Sequence, residues 1–149
     1  KGSASQEIIQ ALSDGMISVS KEYKKKGMYL DNIVLAAGAF ELGVQSLPIS
    51  TTETKRPEER VVLGVLGGPW TIGTAIVSAN LKAHGFEVID AGSDIPPEKI
   101  AQTALDSKAR IIASAIYLPH TAEEEAKLEE ELWKLGIRHK IRTILSGPA

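Results

Sequence analysis

The stretch spanning residues 61–73 constrains the fold more than any other. Val61-Val62-Leu63-Gly64-Val65-Leu66 is almost wholly apolar, and Gly67-Gly68-Pro69-Trp70-Thr71-Ile72-Gly73 follows it directly. Ala75, Ile76, Ala79 and Leu81 then recur at helical spacing. A strand, a glycine-bearing loop and a helix in that order usually make a ligand crevice in an α/β protein. The loop fits neither the dinucleotide fingerprint nor the Walker loop, and no Lys-Ser or Lys-Thr follows Gly73. A phosphate at the N-terminus of the helix stays open as an alternative.

Downstream the rhythm repeats. Strand-like runs at 61–66, 86–89, 110–117 and 141–145 alternate with helical patterns near 71–84, 97–108 and 121–135. Such alternation implies right-handed crossovers and a parallel sheet. Pro97 suits the first turn of its helix, where a missing N–H costs nothing. Glu123, Glu124 and Glu125 put acids at a helix N-terminus, where the dipole favours them.

Upstream the pattern is helical. Ile8, Ile9, Leu12, Met16, Val19 and Tyr23 mark one helix, with Ser3 or Ser5 as its N-cap and Gly27 as its stop. Asp31 is placed to cap a second, whose apolar face carries Ile33, Val34, Ala37, Phe40 and Val44, and Pro48 closes it. The segment 48–60, rich in Ser, Thr, Pro and charge, reads as a linker between a helical part, 1–47, and an α/β part, 61–149. Two amphipathic helices leave apolar stripes that need covering. With only four strands before Ser146-Gly147-Pro148-Ala149, the chain reads as a fragment.

Composition removes several function classes. No apolar run approaches the ~20 residues that span a bilayer, and residues 1–6 are small and polar, unlike a signal peptide. Cysteine is absent, which excludes disulfides, thiolate metal sites and cysteine nucleophiles and fits a cytoplasmic protein. A net charge of -2 gives no support for nucleic-acid binding. Lys24-Lys25-Lys26 ends a helical pattern and complements its dipole.

Five motifs in order, with the helices before them, resemble the cap plus cobalamin-binding domain of corrinoid proteins from methyltransferase systems. Residues 11–47, with Gly15-Met16, Lys21-Glu22-Tyr23 and Gly27-Met28-Tyr29-Leu30, look like the second half of the helical cap. Gly67 to Gly73 resembles the binding loop, Asp-x-His-x-x-Gly in the family. Gly68 stands for its aspartate, Trp70 for its cobalt-ligating histidine and Gly73 for its glycine. Phe86-Glu87-Val88-Ile89-Asp90, Gly92 and Asp94-Ile95-Pro96-Pro97-Glu98 resemble the second strand and next helix start. Ser114-Ala115-Ile116 is similar to a Ser-x-Leu motif, and Ser146-Gly147 sits where the family has Gly-Gly.

The resemblance implies an α/β, flavodoxin-like (Rossmann-like) parallel sheet with a partial helical cap. It implies cobalamin as cofactor and methyltransferase proteins as partners. It places Gly67, Gly68, Trp70, Thr71, Ile72 and Gly73 at the corrin, with Trp70 either under the ring or simply packing to fill the crevice or plug the interdomain seam. Ser114, Ile116, Leu118, Ser146 and Gly147 would meet the nucleotide tail, and Met28, Tyr29 and Leu30 the upper face. Trp70 has only an N–H donor and no lone pair for cobalt, so the usual lower ligand is missing. With strand order 2-1-3-4, the crevice at the switch point falls between residues 67–73 and 114–121.

Other candidates carry blander readings. His120 is an exposed loop residue or a displaced cobalt ligand; His84 answers a helix dipole; His139 has no role. The acids at 123–125 and 129–131 read as a solvated helix face. Ser114 lacks the elbow of a serine nucleophile. The expected function is a corrinoid carrier for methyl transfer. A corrinoid sensor or storage protein, or a former corrinoid fold kept as an interaction module, are the alternatives.

Overall fold

The computed structural model describes residues 4–26, 30–47, 59–69, 71–116 and 122–146. Helices α1 (Ala4–Lys26) and α2 (Leu30–Gln45) come first. Then follow β1 (Arg60–Leu66), α3 (Ile72–Ala83), β2 (Glu87–Ile95), α4 (Pro97–Ser107), β3 (Ile111–Ile116), α5 (Ala122–Lys134) and β4 (Arg142–Ser146). The strands form one parallel sheet in the order β2-β1-β3-β4, as the sequence implies.

β1 lies at the centre because it can be buried on both faces. Residues 61–66 are all buried. On one face Val62, Leu66 and Ile112 pack with Ile100 and Ala104 of α4 and Leu128 and Leu132 of α5, forming the main core. Against the other face lies α3, whose far side takes up α1 and α2. Ile9, Met16, Ala37, Phe40 and Ala79 make a second core there, with Ile72 and Ile76 packed against it. Two polar stitches hold that seam. The Asn80 amide donates to Ser13 Oγ at 3.0 Å, and Gln6 Nε2 donates to Ala83 O at 2.8 Å. Ser13 is buried, so this bond relieves an otherwise costly polar group.

Gly64 lets β2 and α4 close on β1. A side-chain carbon there would lie 2.9 Å from Ile95 Cδ1 and 3.2 Å from Ile100 Cδ1, both in the main core. Overpacking a dense core typically costs about 1–3 kcal/mol. Gly64→Val is therefore expected to lower stability by about that amount, read as a lower urea midpoint at unchanged slope.

Several boundaries differ from the sequence reading. β2 runs on through Asp90–Ile95, beyond the strand-like run at 86–89. Its register against β1 shifts twice, around Gly64, and Gly92 (φ +103) and Asp94 (φ +52) take left-handed conformations. The strand thus survives two residues that would normally end it. Asp31 is not an N-cap, since α2 already begins at Leu30, and Ser5 lies within α1. Arg60 belongs to β1 rather than to a linker, and its guanidinium bridges Glu87 Oε2 (2.9 Å) and Ser107 O (3.0 Å). Residues 48–58 of the expected linker lie outside the described residues, as does Gly27. No helix among the described residues is long and apolar enough to cross a membrane.

Candidate functional site

In this strand order the chain leaves β1 and β3 in opposite directions, so a crevice opens between their carboxyl ends. Gly67 makes the turn out of β1 at φ +62, a left-handed conformation that side chains rarely adopt. Gly68 is buried, and its carbonyl accepts the Asp94 N–H at 2.8 Å, tying the loop to the end of β2. Thr71 then caps α3 through its backbone: its carbonyl accepts from Ala75 N at 2.9 Å and from Thr74 Oγ1 at 2.8 Å. Ile72 turns into the second core, and Gly73 lies in the first turn of α3. Trp70 lies outside the described residues.

Across the crevice, Ser114 pairs in register with Gly64 of β1 and Leu145 of β4. It faces α5 and is only 2% exposed. Its hydroxyl donates to Glu125 Oε2 at 3.3 Å. Burial pushes the Glu125 carboxyl above its ordinary value of 4.5. The Ser114 bond works against this, the Glu129 charge adds to it, and Arg138 opposes it. Leu145 shares the α5-facing side of the sheet with Ser114 yet is 51% exposed, whereas Leu128 and Leu132 further along α5 are fully buried. Ile116 and Ser146 close β3 and β4 at the same end, Ser146 pairing with Ala115.

The structure thus brings Gly67, Gly68, Thr71, Ile72 and Gly73 to the same sheet edge as Ser114, Ile116 and Ser146. Leu118, His120 and Gly147 lie outside the described residues, as do Met28 and Tyr29; Leu30 begins α2. His84 caps α3, its Nδ1 2.8 Å from Asn80 O, away from the crevice, and His139 is exposed in the 3-10 turn Arg138–Lys140. A separate cleft of 440 Å³ lies between α2, α3 and the end of β2, with Glu41, Ser78, Lys82 and Ser93 in its wall; of the loop it includes only Thr71.

The acidic helix face needs correcting. Glu125 bonds the buried Ser114. Glu129 accepts from Thr143 Oγ1 at 3.3 Å and pairs with the Arg138 guanidinium. The missed signal was phase. Glu125, Leu128, Glu129 and Leu132 stand at i, i+3, i+4 and i+7, the spacing of one inward face. A consequence can be measured. An acid whose folded value is raised binds its proton more tightly folded than unfolded, so stability falls as pH rises from the unfolded value through the folded one. The thermal midpoint of the wild type should decline over the range just above pH 4.5 relative to Glu125→Gln, which removes the titrating group.

A parallel sheet with a glycine loop after its first strand and a buried hydroxyl after its third defines a Rossmann-like cofactor-binding protein. The chain belongs to the B12-binding domain family, whose model, described as B12 binding domain, matches residues 59–149. It is 28% identical over 144 residues to trimethylamine corrinoid protein 1 of Methanosarcina acetivorans, covering 94% of this chain and 67% of that protein. Dimethylamine corrinoid protein 1 of Methanosarcina mazei is 31% identical over 145 residues, with 95% and 67% covered. Among solved structures, a chain of the methanol:cobalamin methyltransferase complex from Methanosarcina barkeri superposes with a TM-score of 0.58 at 26% identity, over 97% of this chain and 56% of that one.

Gly67 and Gly68 put no side chain at the crevice, and Ser114 adds only a small, buried hydroxyl, so these positions leave a cofactor room to approach. Nothing at Gly68 can orient a lower ligand.

Proposed function

We propose that this chain carries a corrinoid for a methyl-transfer system and holds it without a histidine below the cobalt. The nucleotide tail would enter beside Ser114, and the corrin would lie over the loop 67–73. The single observation behind this reading is the left-handed glycine loop after β1 facing the small, buried Ser114 of β3 across the switch point of the sheet. A bound corrinoid supplies the cobalt that accepts and gives up a methyl group. The protein supplies binding, orientation and tuning.

Each residue then has a task. Gly67 and Gly68 let the backbone approach the ring, while Ser114, Ile116, Leu118, Ser146 and Gly147 line the tail. Met28, Tyr29 and Leu30, at the start of the second cap helix and just before it in sequence, would cover the upper face. In this reading residues 1–47 are the cap, and 61–149 are the cofactor-binding unit. Methyltransferase proteins are the partners this role requires. The relatives whose names specify trimethylamine and dimethylamine corrinoid proteins, and the methanol:cobalamin methyltransferase complex, support it.

An absorbance spectrum of protein purified in the presence of corrinoid tests the reading. Stoichiometric corrinoid, followed by its methylation on addition of a partner methyltransferase, is the expected result. Corrinoid that no partner methylates would point to a sensor or storage protein. Protein that stays colourless would leave an interaction module.

A further inference from the structure

Positive charge gathers at the amino ends of β3 and β4, the opposite end of the sheet from the crevice. Arg110 precedes β3 and Arg142 opens β4, and the Arg142 N–H donates to Arg110 O at 2.8 Å. The 3-10 turn Arg138–Lys140 adds His139 and Lys140 just before β4. These four exposed side chains, with Ile111 and Ile141, line a cleft of 530 Å³. Among the described residues no acid lines it, and no carboxylate pairs with Arg110, Lys140 or Arg142. Their neighbours differ: Arg60 meets Glu87, and Arg138 meets Glu129. A helix dipole does not account for the cluster. Lys108 caps α4 and answers its dipole, whereas Arg110 and Arg142 stand at strand starts and Lys140 ends the turn. Like charges gathered around one cleft repel, and an anion between them replaces that repulsion with attraction. A second recess of 260 Å³ adjoins the cleft and shares Arg110, Lys140 and Ile141 with it. Leu105, 38% exposed, and Ile137 give that recess an apolar wall.

We propose that this two-part hollow binds a nucleoside polyphosphate, with the phosphate chain among Arg110, Lys140 and Arg142 and the base against Leu105 and Ile137. Guanidinium groups match phosphate oxygens in bidentate fashion, and the ammonium adds a compact point charge. The cleft is of the size that small-molecule ligands occupy, about 300–1,000 Å³. A planar base needs an apolar wall, and the recess supplies one. Among the described residues no neutral polar side chain stands there to read the edge of the base, so purine identity matters little. A nucleic acid fits less well, because the charge is confined to one hollow on a chain of net charge -2 and forms no basic stripe. The hollow lies at the amino ends of the strands and the corrinoid is proposed at the carboxyl ends, so the two ligands bind together without competing.

The experiment is calorimetric titration of the full chain with ATP, GTP, tripolyphosphate and adenosine. ATP and GTP are expected to bind saturably and about equally, tripolyphosphate about tenfold more weakly, and adenosine not measurably. Arg110→Gln and Arg142→Gln, both at exposed positions, should each weaken ATP about tenfold, and the corresponding lysine variants should recover part of the loss. Leu105→Ser should bring ATP down to the level of tripolyphosphate and leave tripolyphosphate unchanged. ATP binding that persists when both arginines are replaced by glutamine lies elsewhere, the N-terminus of α3 included, and overturns the proposal. Tripolyphosphate binding as tightly as ATP also overturns it, since the hollow then takes a bare anion and the recess is idle. Absence of saturable ATP binding overturns it outright. None of these outcomes bears on the carrier reading, which is tested by corrinoid alone.

Discussion

Ser114→Phe is expected to abolish corrinoid binding, weakening it by more than about a hundredfold, while Ser114→Ala stays within about tenfold of wild type. The difference separates shape from hydrogen bonding. Ser114 is 2% exposed and sits between Gly64 and Leu145 in the register of the sheet, facing the first turns of α5. A phenyl ring there would take up the space beside Ser114 that is proposed for the nucleotide tail. Loss of the hydroxyl removes one hydrogen bond, worth about 0.5–1.5 kcal/mol net, or about tenfold at most. Circular dichroism and a urea midpoint on both variants establish that the sheet survives. Unchanged affinity in folded Ser114→Phe would place the tail elsewhere.

How far the sequence could be read depended on the range of the interactions involved. β1 and its loop were legible because an apolar run followed by Gly67 dictates the local chain path whatever surrounds it. Alternation implied the parallel sheet, and the flavodoxin-like resemblance its strand order. β2 was half legible. Asp90, Gly92 and Asp94 are poor strand residues, and the strand continues through them only because β1 absorbs two register shifts and Gly68 O accepts the Asp94 N–H. That support comes from a neighbouring strand, which no local pattern reveals. The seam between the first two helices and α3 was legible as apolar stripes, but not in its polar partners. The Asn80–Ser13 bond joins residues 67 positions apart. Val34, Leu35 and Leu42 of α2 remain more than half exposed, so two helices and α3 do not cover every apolar stripe.

The candidate site divided in the same way. Gly67, Gly68, Ser114 and Ser146 announced themselves by size and position at strand ends. Glu125 did not, because a row of glutamates looks solvated unless its phase relative to Leu128 and Leu132 is tracked. Its meaning also depends on the register that brings Ser114 beneath α5. Composition weighs all six glutamates of that helix alike. Packing singles out Glu125 and Glu129 for contacts with β3, β4 and Arg138.

The second large effect concerns the proposed lack of a histidine below the cobalt. Trp70→His alone is expected to give little or no nitrogen ligation of cobalt, and Gly68→Asp combined with Trp70→His to give clear ligation. A metal-bound imidazole is normally held by a partner on its second nitrogen, which fixes the tautomer and the ring direction. Loss of that partner typically costs ~10–100-fold in affinity or activity. Gly68 offers no such partner, and Pro69 stiffens the chain between the two positions. The left-handed turn of the loop is made by Gly67, at φ +62, so the residue that most needs to remain glycine is kept in both variants. The Gly68 carbonyl is held by the Asp94 N–H, and this anchors the new aspartate at a defined point on the crevice wall. Electron paramagnetic resonance of the cobalt(II) state reads the outcome through nitrogen splitting, with reduction potentials measured alongside. Equal splitting in the single and double variants would mean that the carboxylate is dispensable. Absence of splitting in both, with corrinoid bound, would place the loop backbone too far from cobalt for any side chain at 70 to reach it.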